Sequence, residues 1–576
     1  MDFSHAPRPV AAALAVAREK TVGLVQCLRH GVVGVTEGVA PWRDVVPQLI
    51  RYGFSTARQL EYAADCCPDQ DAFRDDDGSR TFLEARDDVR ALARSLVSRG
   101  HGPGSRVAVM ARNGRGILYP LAAKGHVGYR LYLFNVGSSG RQLAASLIEH
   151  DIDALFIDAE FADRVPDSPP CDVYLGWTPD GGPLEDRDWP VMSAMIASAP
   201  QATSLPFRPP AQPLVLMSSG TTGTPKGVVM HEPFAPFGLI GSILSAGPWR
   251  SHMLIQQTAS MFHIWGWALV NLSWATRSTI VTQRIFDPRV VMETIERERI
   301  TAVMSSAVFL KGMVDLPDAD DFDVSSVEFV SNAGNAMSED LVRRLQRMFG
   351  PVLSSFYGST EVTAVAVASR EDLLEAPTAA GYPPLGTTTK VLDENGVEVP
   401  QGTVGLIHAR NAQTLSGYAN PRDADQLVER QGLVDLGDRG YIDENGRLHV
   451  LGRSNDMIIV GGENIYPASV IECLSGMPGV HDVYCKGVAD DAAFQRIAAW
   501  VVREDSTAGR ELTAEAVRDW VTAGLQEAAA PRDVHWVDSR VPRPAPAAGT
   551  PGAGAGGGRL SGPGDTGPRG RRDAGR

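Results

Sequence analysis

The spacing of apolar and polar residues in the first half of the chain predicts strands and helices in alternation. Arg106–Met110 and Ala154–Ile157 are short apolar runs with the length of a buried strand. Leu118–His126 and Gln142–His150 have helical spacing and lie between such runs. This alternation indicates an α/β fold, in which helices cover sheets of mostly parallel strands. Residues 165–212 are rich in Pro and Asp and predict a long surface connection.

The same patterning continues into the second half of the chain. Strands are predicted at Thr279–Thr282 and Ala302–Ser306, with a helix at Pro288–Arg299 between them. Tyr441–Leu451 has the turn residues of a β-hairpin. The segment after residue 456 predicts a small α+β unit whose last helix is Arg510–Leu525.

These patterns predict four parts of the chain. Residues 1–54 form a helical extension, 55–452 a large domain of sheets covered by helices with a small β region, 457–541 a small α+β domain, and 542–576 a tail. The tail is almost entirely Gly, Pro, Ala and Arg, and a segment of this composition cannot bury a core and is disordered. We interpret it as the product of a frameshift in a GC-rich gene, with a genuine low-complexity tail as the alternative.

Composition and charge narrow the function classes. The net charge of −15 excludes a global basic field for nucleic acid. The six cysteines have neither metal-site nor disulfide spacing, which indicates reduced thiols in a cytoplasmic enzyme. No apolar run is as long as the about 18 residues that a membrane-spanning helix requires. Amphipathic helices within residues 10–50 leave peripheral contact with a membrane open, although docking on the protein itself is favoured.

The strongest candidate for chemistry is Leu214–Met230, a polar loop between two apolar runs. Glycines let the backbone approach a bulky anion, hydroxyl and N–H groups donate hydrogen bonds, and a lysine adds positive charge. The loop therefore suits a polyphosphate, although its spacing is not that of the Walker A motif. The candidate phosphate-binding residues are Ser218, Ser219, Gly220, Thr221, Thr222, Gly223 and Lys226.

Two further motifs follow this loop. Phe356–Glu361 has the sequence FYGSTE, and Leu436–Gly462 contains Asp438 and Arg453. In this order, the three segments resemble the motifs of the adenylate-forming enzymes, the AMP-binding superfamily, and in particular its bacterial fatty-acyl-CoA ligases. The resemblance covers about residues 50–541. One departure is Leu436, where the family usually has Thr.

The resemblance implies a role for each motif residue. Tyr357 would stack on adenine, Thr360 would bond an α-phosphate oxygen, and Glu361 would hold Mg²⁺ against the phosphates. An ordinary turn at the end of a strand stays open as the alternative for the loop after residue 333. The other residues assigned to ATP and AMP are Gly334, Asn335, Ala336, Gly358 and Ser359, with Asp438 and Arg453 at the ribose.

Further residues are assigned by the resemblance to the acid, to CoA and to domain movement. His263 would join Lys226, Thr360 and Glu361 in catalysis, with packing in the core as its alternative. Trp265 would line the acyl pocket, and Gly266 beside it would leave room for the ligand. Residues 453–456, with Asn455 among them, would be a hinge about which the small domain at 457–541 moves. The segment that swings in to contact CoA would contain Gly461, Gly462 and Glu463.

The resemblance implies ATP, Mg²⁺ and CoA as cofactors and a carboxylic acid as the substrate. A medium- or long-chain fatty acid is favoured over an aryl acid. The acid would become acyl-AMP with release of pyrophosphate, and the CoA thiol would then displace AMP. An acyl carrier protein stays open as the acceptor. The family has a lysine near the end of the small domain, but no lysine follows Lys486 here, so an adenylation-impaired remnant also stays open.

Overall fold

The computed structural model describes residues 8–32, 40–217, 226–231, 237–415, 417–420, 422, 427–454, 458–460, 463–490, 494–525 and 527–538. It confirms the predicted α/β class, with a large N-terminal domain and a smaller C-terminal domain that has its own sheet. None of the described helices combines the length and the apolar character that crossing a membrane requires.

Two helices precede the first sheet, in the region that the sequence predicts to be helical. They are α1 (Arg8–Arg29) and α2 (Ala40–Tyr52). On α1, Gly23 and Cys27 are buried one turn apart, whereas Arg18 and Val25 are exposed. One side of α1 is therefore packed against the large domain.

The large domain contains helices and strands in alternation up to residue 375 and mostly strands after it. Its helices are α3 (Thr56–Cys66), α4 (Phe82–Ser98), α5 (Arg115–Val127), α6 (Gly140–Glu149), α7 (Met192–Ala197), α8 (Phe237–Ser245), α9 (Ile264–Ala275), α10 (Pro288–Glu298), α11 (Ala307–Val314), α12 (Glu339–Phe349) and α13 (Arg370–Glu375). Its strands are β1 (Asp71–Asp75), β2 (Gly78–Thr81), β3 (Arg106–Met110), β4 (Arg130–Leu133), β5 (Ala154–Asp158), β6 (Asp172–Trp177), β7 (Leu214–Met217), β8 (Gly227–Met230), β9 (Leu254–Gln257), β10 (Thr279–Val281), β11 (Ala302–Ser305), β12 (Phe329–Ala333), β13 (Leu353–Tyr357), β14 (Ala366–Ala368), β15 (Thr388–Leu392), β16 (Gly405–Arg410), β17 (Glu429–Arg430), β18 (Leu433–Ile442) and β19 (Leu448–Arg453).

Two sheets of mainly parallel strands form the centre of the large domain. Their strand orders are β6-β5-β3-β4-β7-β8 and β14-β13-β12-β11-β9-β10-β1-β2. β5 and β11 are buried along their whole length, as expected of parallel strands covered by helices. Phe73 and Ile280 of the second sheet share one apolar core with Leu131 and Leu214 of the first. The strand ends that carry the motifs are therefore fixed by a common core.

The rest of the chain forms a third sheet and the small domain. In the third sheet the order is β15-β16-β18-β17, and β19 pairs with β18 in the predicted hairpin. The small domain has the strand pair β20 (Ile458–Val460) and β21 (Glu463–Ile465), and a sheet of β22 (Val480–Asp490), β23 (Phe494–Arg503) and β24 (Asp533–Val537). Its helices are α14 (Pro467–Ser475), α15 (Thr507–Glu511) and α16 (Ala514–Gly524).

Two sequence predictions differ from the structure. The predicted connection at residues 165–212 contains β6 and α7, because the short apolar run of β6 is concealed by the Pro- and Asp-rich segments on either side. The predicted last helix, Arg510–Leu525, is divided into α15 and α16. The division follows from Thr513, whose side chain accepts the N–H of Ala516 and starts a new helix.

Candidate active site

The predicted phosphate loop connects β7 to β8 at the edge of the first sheet. These strands pair in antiparallel fashion, with Met217 opposite Gly227. Lys226 is partly buried and stands directly before β8. The other residues predicted to contact phosphate, Ser218, Ser219, Gly220, Thr221, Thr222 and Gly223, lie outside the described residues.

The segment around residues 411–419 joins the phosphate-loop strands to the FYGSTE motif, and the sequence analysis did not identify it. Gly227 of β8 accepts the N–H of Ala419 at 2.7 Å, and the N–H of Leu415 donates to the carbonyl of Glu361 at 2.7 Å. The Nδ2 of Asn411 donates to the carbonyls of Val362 and Ala364, each at 2.9 Å. Two motifs more than 100 residues apart are thus held together by backbone hydrogen bonds.

The turn after β13 presents Thr360 and Glu361. The Oγ of Ser359 accepts the N–H of Glu361 at 3.2 Å, and Thr363 adopts a left-handed conformation with φ of 56°. Gly358 is required here, because a Cβ at this position would overlap the carbonyl of Thr363. The tight turn leaves the side chains of Thr360 and Glu361 partly exposed at the end of the strand.

Tyr357 contacts the carboxylate predicted to bind ribose. The hydroxyl of Tyr357 donates to Oδ2 of Asp438 at 2.6 Å, and Nε of Arg453 lies 3.3 Å from Oδ1. Burial raises the pKa of Asp438, while Arg453 and the Tyr357 hydroxyl oppose this shift. The nearby carboxylates of Asp435 and Glu361 raise the same pKa further by charge repulsion. The structure therefore brings together Tyr357, Asp438 and Arg453, three residues that the sequence analysis assigned to the nucleotide.

The predicted adenine loop lies beside Tyr357. β12 and β13 are parallel with Ala333 opposite Phe356, so Gly334 follows its strand at the level where Tyr357 ends the neighbouring one. Gly334 has φ of 93°, and no heavy atom lies within 4 Å of the position of a Cβ. Asn335 and Ala336 are exposed. An open surface without side-chain bulk next to a tyrosine ring is the arrangement that a flat base requires.

His263 and Trp265 stand at the start of α9. The His263 side chain is exposed, although nearby protein atoms partly desolvate its ring. This desolvation lowers its pKa, so the imidazole is neutral at neutral pH. Nε1 of Trp265 donates to the carbonyl of Ser305 at 3.1 Å, and its ring centroid lies 4.8 Å from that of Phe356.

Gly266 has a different role from the one expected. A Cβ on Gly266 would overlap the carbonyl of Ser260 and stand 2.8 Å from Cα of Met261. The space beside this glycine is therefore occupied by the chain's own backbone and is not left for a ligand. The next residue, Trp267, is buried in the apolar core.

The residues fit a magnesium ion that is held mainly by its nucleotide. The described residues contain no group of three or more His, Cys, Asp or Glu that could bind a metal alone. A single carboxylate such as Glu361, together with phosphate oxygens, is how Mg²⁺ is usually held at nucleotide sites. Of the positions assigned to CoA and the hinge, Asn455, Gly461 and Gly462 lie outside the described residues, and Glu463 is described only as the first residue of β21.

Comparison with known proteins gives matches along most of the chain. A family model described as AMP-binding enzyme matches residues 60–419, and one described as AMP-binding enzyme C-terminal domain matches residues 472–546. A 2-succinylbenzoate–CoA ligase of Bacillus cereus is 27% identical over 447 residues, which cover 77% of this chain and 88% of that protein.

Two further similarities come from different reaction types. A fatty acid–[acyl-carrier-protein] ligase of Streptomyces coeruleorubidus is 29% identical over 483 residues, which cover 80% of this chain and 88% of that protein. The solved amide bond synthetase McbA of Marinactinospora thermotolerans has a TM-score of 0.72 and 28% identity, with 84% of this chain and 95% of that chain covered. With both family models matched, the chain belongs to the AMP-binding enzymes, a family of adenylate-forming acid–thiol ligases.

Proposed function

We propose that this chain uses ATP to activate a carboxylic acid as an acyl adenylate and then transfers the acyl group to CoA. The observation that carries the proposal is the joining of four distant segments by hydrogen bonds. Tyr357 bonds Asp438, the backbone of Glu361 bonds Leu415, and β8 bonds Ala419. A nucleotide, its phosphates and a reacting carboxylate could all contact such an assembly at once.

The site residues suit the chemistry of adenylation. A carboxylate is a poor electrophile, and linking it to AMP provides a good leaving group for the later attack by a thiol. Lys226 would offset charge on the phosphates, and the Thr360 hydroxyl would donate to the α-phosphate. The neutral imidazole of His263 would lie close to the acid but would not form an ion pair with its carboxylate. Mg²⁺, when held by Glu361 and the phosphates, would neutralise further phosphate charge.

For the acid, we propose a compact aromatic acid as the first candidate. The partly buried ring of Trp265 lies against Phe356, the residue directly before Tyr357, and an aromatic side chain at this place fits a flat ring. The name of the Bacillus cereus relative, a 2-succinylbenzoate–CoA ligase, supports this choice. A medium- or long-chain fatty acid is the second candidate, supported by the name of the Streptomyces relative.

For the second half of the reaction, we propose that Gly461, Gly462 and Glu463 contact CoA and that Asn455 is the hinge. The two half-reactions would then use different placements of the small domain. No lysine follows Lys486, so the group that bridges acid and adenylate in the family has no counterpart at the expected place. Removal of a preorganised cation of this kind costs about 100- to 1000-fold in rate. Adenylation would be affected more than thioester formation.

The test is incubation of the full chain with ATP, Mg²⁺, CoA and a mixture of aryl and straight-chain acids, with acyl-CoA products detected by mass spectrometry. We expect aryl-CoA as the main product. Lys226→Ala should lower product formation by about 100-fold or more, because it removes the phosphate-site charge. Lys390→Ala, which removes a lysine paired with Glu398 on the third sheet, should leave it unchanged.

A second arm separates an intact site from a failed proposal. If the chain gives no product, a lysine-bearing tail is grafted after Asp538 and the incubation is repeated. Recovery of product would show that the site is competent and that the lysine was lacking. Absence of product from both proteins, with acids of either class, would contradict the proposed function.

A further inference from the structure

The helix α1 precedes the part of the chain that the family models match and is packed closely against α8. Two glycines form the contact. A Cβ on Gly23 of α1 would overlap the carbonyl of Phe237, and a Cβ on Gly241 of α8 would stand 2.8 Å from the carbonyl oxygen of Gly23. Neither position has room for a side chain unless the helices move apart.

Other contacts fix α1 on both sides of this crossing. After its C-terminal end, Nδ1 of His30 lies 2.7 Å from the carbonyl oxygen of Trp249, and Arg277 donates to the carbonyl of Gly31 at 2.8 Å. On the other side of the crossing, Glu19 lies against Gly386. A Cβ on Gly386 would stand 2.5 Å from Oε1 of Glu19. Cys27, between them, is only 1% exposed. The extension is thus an integral part of the large domain.

The helix α8 is connected to the proposed acid pocket through an apolar cluster. Its residues Phe237 and Ile240 pack against an apolar cluster that contains both Cys27 of α1 and Phe356 of β13. Trp265 packs against the same cluster, and like Phe237 and Ile240 it is only partly buried. Phe356 directly precedes Tyr357 of the proposed nucleotide site, so this cluster connects α8 with both Trp265 and that site. A shift of α8 would therefore be transmitted to Trp265 through the shared cluster.

We propose that α1 sets the acid selectivity of this chain by fixing the position of α8. This inference rests on the proposed function. Gly23 is then a positioning residue, which acts through α8 and does not contact the acid. In the native structure the close crossing limits the depth of the pocket and favours compact acids. When the helices are separated, α8 gains room to move outward and longer acids are accommodated.

The test measures binding of AMP and of stable N-acyl sulfamoyl adenosines, which imitate the acyl adenylate and do not require turnover. Dissociation constants for AMP and for benzoyl and dodecanoyl conjugates are compared in the full chain by calorimetry. In Gly23→Ala, the ratio of benzoyl to dodecanoyl affinity should shift by about tenfold or more toward dodecanoyl. AMP affinity should stay unchanged, since the nucleotide site is not touched. Val25→Ala, on the exposed side of α1, should leave all three constants as in the native chain.

A second variant covers the case in which Gly23→Ala does not fold. Cys27→Ala removes buried atoms from the same contact, where Sγ lies 3.9 Å from the carbonyl oxygen of Phe237, and adds none. It should shift the ratio in the same direction by a smaller factor. An unchanged ratio, or an equal loss of affinity for AMP and both conjugates, would overturn the inference and leave the proposed function standing. Failure of the native chain to bind AMP or either conjugate would overturn the proposed function itself.

Discussion

At the scale of single residues, the nucleotide site depends on a hydrogen bond that no motif specifies. Burial raises the pKa of Tyr357 well above its ordinary value, so its hydroxyl remains protonated and donates to Asp438 at 2.6 Å. This bond connects the ring proposed to stack on adenine with the carboxylate proposed for ribose. Tyr357→Phe removes one donor to a buried carboxylate, and we expect AMP affinity, measured by calorimetry, to fall about tenfold.

The control for this prediction is Tyr382→Phe. Its hydroxyl donates to the carbonyl of Asn445 at 3.3 Å in an exposed turn, and its loss should not alter AMP affinity. Native affinity in Tyr357→Phe would contradict the coupling of the adenine and ribose sites.

The sequence predicted which side chains could contact the nucleotide better than it predicted which side chains hold the site together. Tyr357 and Asp438 were identifiable because their motifs carry them, whereas Asn411 was not, since its partners are backbone carbonyls 47 and 49 residues away. Leu436, where the family usually has Thr, is tolerated for a similar reason. Arg453 donates to the backbone carbonyl of Leu436 at 2.9 Å, and a carbonyl is present whatever the side chain.

At the scale of elements, the start of α9 is packed against the turn before it through Gly266. A methyl group at this position would overlap the carbonyl of Ser260, so the helix or the turn would have to move. We expect Gly266→Ala to lower the free energy of unfolding by about 1–3 kcal/mol, as overpacking usually does. Guanidinium unfolding of the full chain measures this change.

The matched substitution is Gly102→Ala, because a Cβ there meets no heavy atom within 4 Å. Its free energy of unfolding should equal or exceed the native value, since alanine restricts the unfolded chain more than glycine does. If Gly266→Ala were as stable as Gly102→Ala, the space beside Gly266 would be open after all, and the original interpretation as ligand room would be restored.

Elements with continuous apolar runs are predictable from the sequence almost to the residue. β3 and β7 begin and end where their apolar runs do. β6 was missed because it has only a few apolar residues within a Pro-rich segment, and its burial depends on pairing with β5. Strand pairing of this kind is a tertiary property, and a local pattern does not contain it.

At the scale of the whole molecule, the small domain is docked on α11 and α12 by polar contacts. Glu472 of α14 accepts the N–H of Glu339 at 2.6 Å, at the helix end where such groups lack partners. Lys311 donates to the carbonyl of His481 at 3.1 Å. Burial raises the pKa of Glu472, and repulsion from the Glu339 and Asp340 carboxylates raises it further. The hydrogen bond from the Glu339 N–H lowers it.

A raised pKa in the docked state means that docking takes up a proton on Glu472. Docking should therefore be strongest at acid pH and weaken as the pH rises through the docked pKa. Glu472→Gln keeps an oxygen acceptor for the Glu339 N–H and removes the charge, so docking should persist at alkaline pH. Hydrogen exchange of the peptide 337–349, corrected for intrinsic rates, measures the extent of docking. Protection of this peptide should decrease with rising pH in the native chain and stay constant in Glu472→Gln.

Glu515→Gln, an exposed position on α16, should behave as the native chain does. An identical pH dependence in Glu472→Gln would assign the effect to another group and contradict the prediction. If the prediction is correct, one carboxylate sets how readily the small domain leaves this placement. Because the two proposed half-reactions need different placements, their relative rates would then depend on pH through Glu472 without any change at the catalytic residues.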